Sequence, residues 1–383
     1  MIQERKIIYL EGFLFSIPIA LASYINSSFI SSFISEKFVG IIYVLGSISS
    51  ILALLLAPKL FKKIGGYKFL ILIATLDAFS FLTLALTKNA LGIIAVFILA
   101  FSLNALVFFS LDEFLKILSE NSVTGKVRGI YLMVCNLAWI LAQLISGTIL
   151  EDFSLRVVYF TSFLVMILFL IISILKLKNL PEPKYDKINS FKYVNKFFQN
   201  KNLFRAYGIN FLLQFFYCWM VIYTPIYLHA HLGFNWKEIF LIFALMLSPF
   251  IFIPFYVGEI ADKIGERKIL MLGFTIASFT TLSLFFIHQH SIWLWALLLF
   301  ATRIGASSID GTSDTYFFKH IKCENEELVG IYRSASPVSY ILGPIVAFII
   351  LSLVPSLNYI FLILGAIMLY GIYLSSTIRK SDI

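Results

Sequence analysis

The residues of this chain best placed to do chemistry are Arg303, Ser307, Asp310 and Asp314, set at spacings of 4, 7 and 11 from the arginine in a run that is otherwise mostly apolar. At about 100° per residue the other three fall within roughly 40° of Arg303, so a helix would carry the four as a single polar stripe. The run starts near Ser291, which puts Arg303 about 18 Å along the helix and close to the middle of a bilayer core about 30 Å thick. An ionisable group there is costly and is a functional candidate by default. Arg303 is expected either to bind an anionic or polar solute group or to tune a carboxylate for proton coupling. The structural alternative is a bond to a carbonyl or an acid that locks helices together.

Other polar groups fall inside apolar runs. Asn210, Gln214 and Tyr217 recur at i, i+4 and i+7 and share one face with hydrogen-bonding capacity. Asn104 lies midway along its run, and these four are expected to face solute. Asp77 is mid-run with Thr75 and Ser80 nearby; it is either a protonation site or a carboxyl packed in an interface. Glu11 lies near the start of the first run, within reach of the membrane surface. Asp112 and Asp314 sit near the ends of theirs, where Lys63 and Lys68, or Lys263, Arg267 and Lys268, are expected to pair with them.

These placements require elements that cross a membrane. The chain has 383 residues, 60% hydrophobic and only 13% charged, a composition far from that of a soluble domain. Run length and the Gly, Pro and charge breaks between runs predict twelve spans, at about 7–30, 38–57, 67–87, 90–118, 127–150, 156–177, 204–228, 237–257, 267–288, 291–319, 328–353 and 356–378. With an even count, 25 of the 30 Lys and Arg fall on one side and four on the other. By the positive-inside rule both termini are then cytoplasmic. The net charge of +9 faces anionic lipid and calls for no nucleic acid. Three widely separated cysteines suggest neither a disulfide framework nor a metal site.

The longest hydrophilic stretch divides the spans six and six, giving a bundle over 1–177, a linker over 178–203 and a bundle over 204–383. Within the linker Phe191, Val194 and Phe198 recur at helical spacing, which fits a short interfacial helix or, equally, a disordered connection. The bundles also resemble each other. Lys63-Ile64-Gly65 recurs as Lys263-Ile264-Gly265, Gly129-Ile130-Tyr131 as Gly330-Ile331-Tyr332, and Asp112 as Asp314. Three matches in one order at a near-constant offset point to a duplicated six-helix unit.

The segment Gly258 to Lys268 is a charged hinge between two long apolar runs. Gly258, Asp262, Lys263, Gly265, Arg267 and Lys268 resemble the Gly-x-x-x-Asp-basic-x-Gly-basic-basic signature of the major facilitator superfamily (MFS), with Glu266 departing from a basic position. In that family the signature lies between helices 2 and 3 and between helices 8 and 9. The first copy here is worn, with Pro58 in place of the first glycine and Lys62 in place of the acid. The resemblance implies an all-α membrane fold of twelve helices in two pseudo-symmetric six-helix bundles, with helices 1, 4, 7 and 10 lining a cavity. It also implies that Gly258, Asp262, Lys263, Gly265, Arg267 and Lys268, with Asp314 and Asp112, form a cytoplasmic gate that holds one state closed. Gly343-Pro344 is similar to part of a motif that antiporters of the superfamily carry in helix 5, but helix 5 here has Ala142-Gln143. That argues against drug:proton antiport.

The expected activity is secondary transport of a small solute across the cytoplasmic membrane by alternating access, with or without protons. A monomer is expected, with no cofactor and no metal. There is no Gly-x-x-x-x-Gly-Lys-Ser loop and no His/Glu metal pattern on a helix, so neither ATP hydrolysis nor intramembrane proteolysis is supported. A non-transporting sensor or membrane assembly partner on the same fold is the alternative; a lipid-modifying enzyme would cluster its polar groups near one leaflet, and these run towards the midplane.

Overall fold

The computed structural model of the protein describes residues 2–118, 124–179, 191–320 and 326–378. Some side chains within its helices, those of Pro58, Asp262 and Lys263 among them, lie outside the described residues. Among the described residues every regular element is helical. The chain forms two compact units, Met1–Lys187 and Ile188–Ile383.

The first unit contains α1 (Ile2–Ser23) with its short continuation α2 (Asn26–Ser31), α3 (Glu36–Ile64), α4 (Gly66–Leu86), α5 (Ala90–Leu118), α6 (Thr124–Asp152) and α7 (Leu155–Lys176). The second contains α8 (Phe191–Gln199), α9 (Lys201–Ile226), α10 (Trp236–Leu247), α11 (Pro249–Ile264), α12 (Glu266–Leu284), α13 (Ile292–Lys319), α14 (Glu326–Arg333), α15 (Ala335–Leu353) and α16 (Tyr359–Ser376). With α10 and α11 taken as one broken rod, and α14 and α15 as another, each unit has six. Eleven helical segments among the described residues are long and apolar enough to cross a membrane. The twelfth, α12, has 19 residues and begins on Glu266, Arg267 and Lys268, which leaves its apolar stretch just short.

The span expected over 237–257 is two helices. Ser248 ends α10 and Pro249 opens α11, because proline has no N–H for the preceding turn and fits the first position of a new one.

Packing repeats from one unit to the other. In the first, α1 packs on α5, α6 and α7, α3 on α5, and α4 on α5 and α7. In the second, α9 packs on α13, α15 and α16, the α10/α11 rod on α13, and α12 on α13 and α16. Each pair has its counterpart in the same order along the chain. The repeated Lys-Ile-Gly tripeptide marks one of the reasons. Gly65 has φ 91° and Gly265 has φ 87°, and each ends one rod and starts the next where an L side chain would be strained.

The linker does contain a helix, α8, and it docks on the second unit. Its anchor is Phe197, fully buried against Tyr207 of α9 and Phe317 of α13, with ring centroids 6.1 and 6.4 Å away. Phe198, expected on the apolar face, is partly exposed and lies beside Tyr207 at 5.2 Å.

Candidate functional site

In the second unit α13 is pressed against α12 by glycine. A Cβ on Gly305 would meet the Gly273 carbonyl at 2.6 Å and the Ala277 nitrogen at 2.7 Å. Gly305 lies about 200° round the helix from Arg303, so this contact turns Arg303 away from α12 and towards α9. There the guanidinium carbon sits 5.1 Å from the ring centroid of Phe216 and 5.5 Å from that of Tyr217, within cation–π range. Arg303 is 1% exposed. Its Nε and Nη1 are buried with no hydrogen-bond partner, and among the described residues it forms no ion pair. A buried cation normally has its donors satisfied, so these two N–H groups are open positions for an acceptor.

The rest of the polar stripe divides. Ser307 donates to the Ile304 carbonyl of its own helix at 3.3 Å. Asp310 is half-buried and makes no hydrogen bond to a described residue. Asp314 accepts from the Tyr332 hydroxyl at 3.0 Å and from Arg333 Nη2 at 2.8 Å. Its partners are therefore on α14, not the expected Arg267 or Lys268, both of which are exposed. Tyr332 is held by Ser313 at 2.8 Å and stacks on Phe317 with centroids 4.0 Å apart.

On α9, Asn210 donates to the Tyr332 carbonyl at 3.2 Å, and Gln214 donates to Asn210 at 3.4 Å. That chain joins α9 to α14, so Asn210 and Gln214 are engaged within the unit. Tyr217 is the residue of the expected trio that meets Arg303.

The signature segment is described only in part. Gly258, Asp262 and Lys263 lie on α11, and their side-chain surroundings are outside what is described. Glu266, the one departure from the signature, is 1% exposed and accepts from Lys319 at the end of α13. Its second oxygen, Oε2, has no partner. Sequence reasoning passed over Glu266, Lys319, Phe216, Tyr332 and Arg333. The signal available for the first pair was an acid where the signature has a base, with a lysine ending the tenth run.

In the first unit Asn104, on α5, lines a cavity of about 160 Å³ and its Oδ1 is buried without a partner. Asp77 is fully buried on α4; Ser80 donates to its Oδ1 at 3.3 Å, and Oδ2 has no partner. Glu11, expected to reach the membrane surface, is also fully buried. Ser173 of α7 donates to its Oε2 at 2.8 Å, and Oε1 has no partner. Asp112 is exposed.

Two like-packed six-helix units, with eleven segments among the described residues long and apolar enough to span a bilayer, define a multi-pass membrane protein. The chain belongs to the Major Facilitator Superfamily: residues 8–248 and 239–381 match that family. No curated protein matches it in sequence. Among solved structures it is similar to the nucleoside transporter NupG, with a TM-score of 0.74 at 11% identity over 97% of each chain. It is similar to the POT family transporter PepTSo, with a TM-score of 0.78 at 10% identity over 99% of this chain and 98% of that one. A bacterial homologue of the human lysosomal transporter Spinster, inward-facing and unoccupied, gives a TM-score of 0.74 at 11% identity over 97% and 94%. At these identities the likeness establishes the fold alone.

Proposed function

We propose that the protein is a secondary transporter that carries a small solute across the cytoplasmic membrane by alternating access. The observation that carries the reading is Arg303, a buried guanidinium over two aromatic faces with two N–H groups lacking an acceptor. Arginine has donors only, so the solute group that meets it is an acceptor, best an anion such as a carboxylate or phosphate. The cytoplasmic placement of both termini rests on the basic residues gathered on one side of the spans.

Coupling to protons belongs to the same reading. Glu11 and Asp77 are each held by one serine hydroxyl, with the other carboxyl oxygen unpartnered. Neither forms an ion pair with a described residue. Intramembrane carboxyls so placed are suited to take up and release a proton as a unit changes state.

The test is uptake into liposomes containing the purified protein, with labelled carboxylates, phosphate esters and neutral solutes. Arg303→Ala is expected to cut uptake at least tenfold, as loss of a charge-assisted bond of about 1.5–3 kcal/mol implies. Arg303→Lys is not expected to rescue it, because the planar fork and its stacking are lost. Full uptake in both Arg303→Ala and Asp310→Asn would overturn the site. Binding without uptake of any solute would point to a sensor. An imposed pH gradient that never drives accumulation would remove the proton from the scheme.

A further inference from the structure

The partly open cavity in the first unit is lined by residues of α1, α2, α4, α5 and α7. Its volume of about 160 Å³ is close to that of an engineered cavity of about 150 Å³ that takes one benzene ring. Unlike that cavity it is not purely apolar. Phe81, Phe97, Phe101 and Tyr159 supply aromatic walls, and Asn26 and Asn104 bring two side-chain amides to the lining. The walls are braced from behind: Phe97 and Phe101 have centroids 5.1 Å apart, and each lies 5.5 Å from Tyr43. Tyr159 donates to Asn26 Oδ1 at 2.7 Å and fixes that amide. Asn104 Oδ1 is buried and has no partner.

No Asp, Glu, Lys, Arg or His is among the described residues that line the cavity. A charged guest would lose its hydration and meet no counter-charge, a cost of many kcal/mol. A plain hydrocarbon ring would leave the Asn104 oxygen unsatisfied, which costs about 1–3 kcal/mol. The guest favoured by both terms is neutral, flat and a donor.

We propose that this cavity is a binding site for an uncharged, single-ring molecule that carries an N–H or O–H donor, with Asn104 as acceptor and the phenylalanine rings as walls. The site uses no residue of the unit that carries Arg303 and goes beyond the transport reading, since it can be occupied whether or not the guest crosses the membrane.

The test is saturation binding of labelled benzamide to the purified full chain in detergent micelles, with benzoate and benzylammonium as charged isosteres and toluene as the hydrocarbon. Saturable benzamide binding is expected, with toluene about tenfold weaker and neither ion competing. Asn104→Leu is expected to weaken benzamide about tenfold while toluene binding holds or improves. Ala100→Phe, which fills the cavity from another position, is expected to abolish both. Each variant's unliganded Tm shows that it has folded, and the ranking of the four probes on the wild-type chain tests the chemistry of the guest without any variant. Absence of benzamide binding, equal competition by benzoate, or binding that ignores both substitutions would overturn the proposal. So would benzamide binding that is lost in Arg303→Ala and kept in Asn104→Leu, which would place it in the other unit.

Discussion

The two units share their packing and differ in their charges. Aligning Asp112 with Asp314, an offset of 202, sets Phe101 against Arg303 and Phe108 against Asp310. The tenth rod thus carries arginine and two acids along a stripe where the fourth has two phenylalanines and one acid. Further along, an offset of 201 sets Leu132 against Arg333, and an offset of 200 sets Gly66 against Glu266. What both copies keep is what the backbone and the helix contacts require: the positive-φ glycines Gly65 and Gly265 and the buried tyrosines Tyr131 and Tyr332. What they do not share, Asp112 and Asp314 apart, is the polar chemistry of that stripe. The helix pairs constrain every copy of the duplicated unit, whereas a solute needs its charged contact from one copy only.

The sharpest way to break this comparison is to give the second unit the residue of the first. Arg303→Phe is expected to reduce liposome uptake more than tenfold, since the cationic donors vanish while the volume stays filled. Asp310→Asn should lower it severalfold, while Phe108→Leu at the matching place of the first unit should change it less than twofold. Equal losses from Asp310→Asn and Phe108→Leu would mean that the stripe carries no special role.

The fold was legible because its signals are collective. Twelve runs near 20 residues long, and a charge split that works only with an even count, do not depend on any one side chain. The repeat was legible at Lys-Ile-Gly because a positive φ leaves little choice of residue. The site was legible only in part. Arg303 announced itself by depth, since few ionisable groups lie so far into an apolar run. Asn210 and Gln214 shared a face with Tyr217, yet the structure joins them to Tyr332, a residue over a hundred positions away that no periodicity reveals. Glu11 was read as near the surface because rise along one helix sets depth, whereas burial depends on α7 bringing Ser173 to it. The Glu266–Lys319 pair escaped for the same reason: its partners lie on different rods.

The next effects concern the loop before α12. Asp262→Asn is expected to lower uptake about fivefold, and Glu266→Gln or Lys319→Met about threefold each, if the charges around the signature form the cytoplasmic gate that the family resemblance implies. Breaking a fully buried pair costs about 3–5 kcal/mol, but Lys319 is 43% exposed, so solvent screening reduces this to about 1–2 kcal/mol. The charge swap Glu266→Lys with Lys319→Glu should recover most of the uptake. A swap no better than the single variants would mean that the pair only packs. Arg333→Leu copies the first unit's Leu132 and removes a half-exposed bond to Asp314. A loss of about 0.5–1 kcal/mol, read as a fall in Tm of about 2 °C, is expected there, with uptake reduced less than twofold.

The smallest effect is expected from restoring the acid to the first unit. Lys62 is exposed at the end of α3, in the last turn before Gly65. Lys62→Asp recreates the signature's acid and places a negative charge at a helix C-terminus, where the helix dipole disfavours it by about 0.3–1 kcal/mol. If the gate of this protein is carried by the second unit, the new acid has no established closed state to strengthen. Uptake should then stay within twofold of wild type, with a fall in Tm of no more than about 2 °C. A severalfold slowing of uptake, relieved by high salt, would show that the first unit can still form a charged latch. The asymmetry between the units would then lie in the one missing acid and not in the wiring around it.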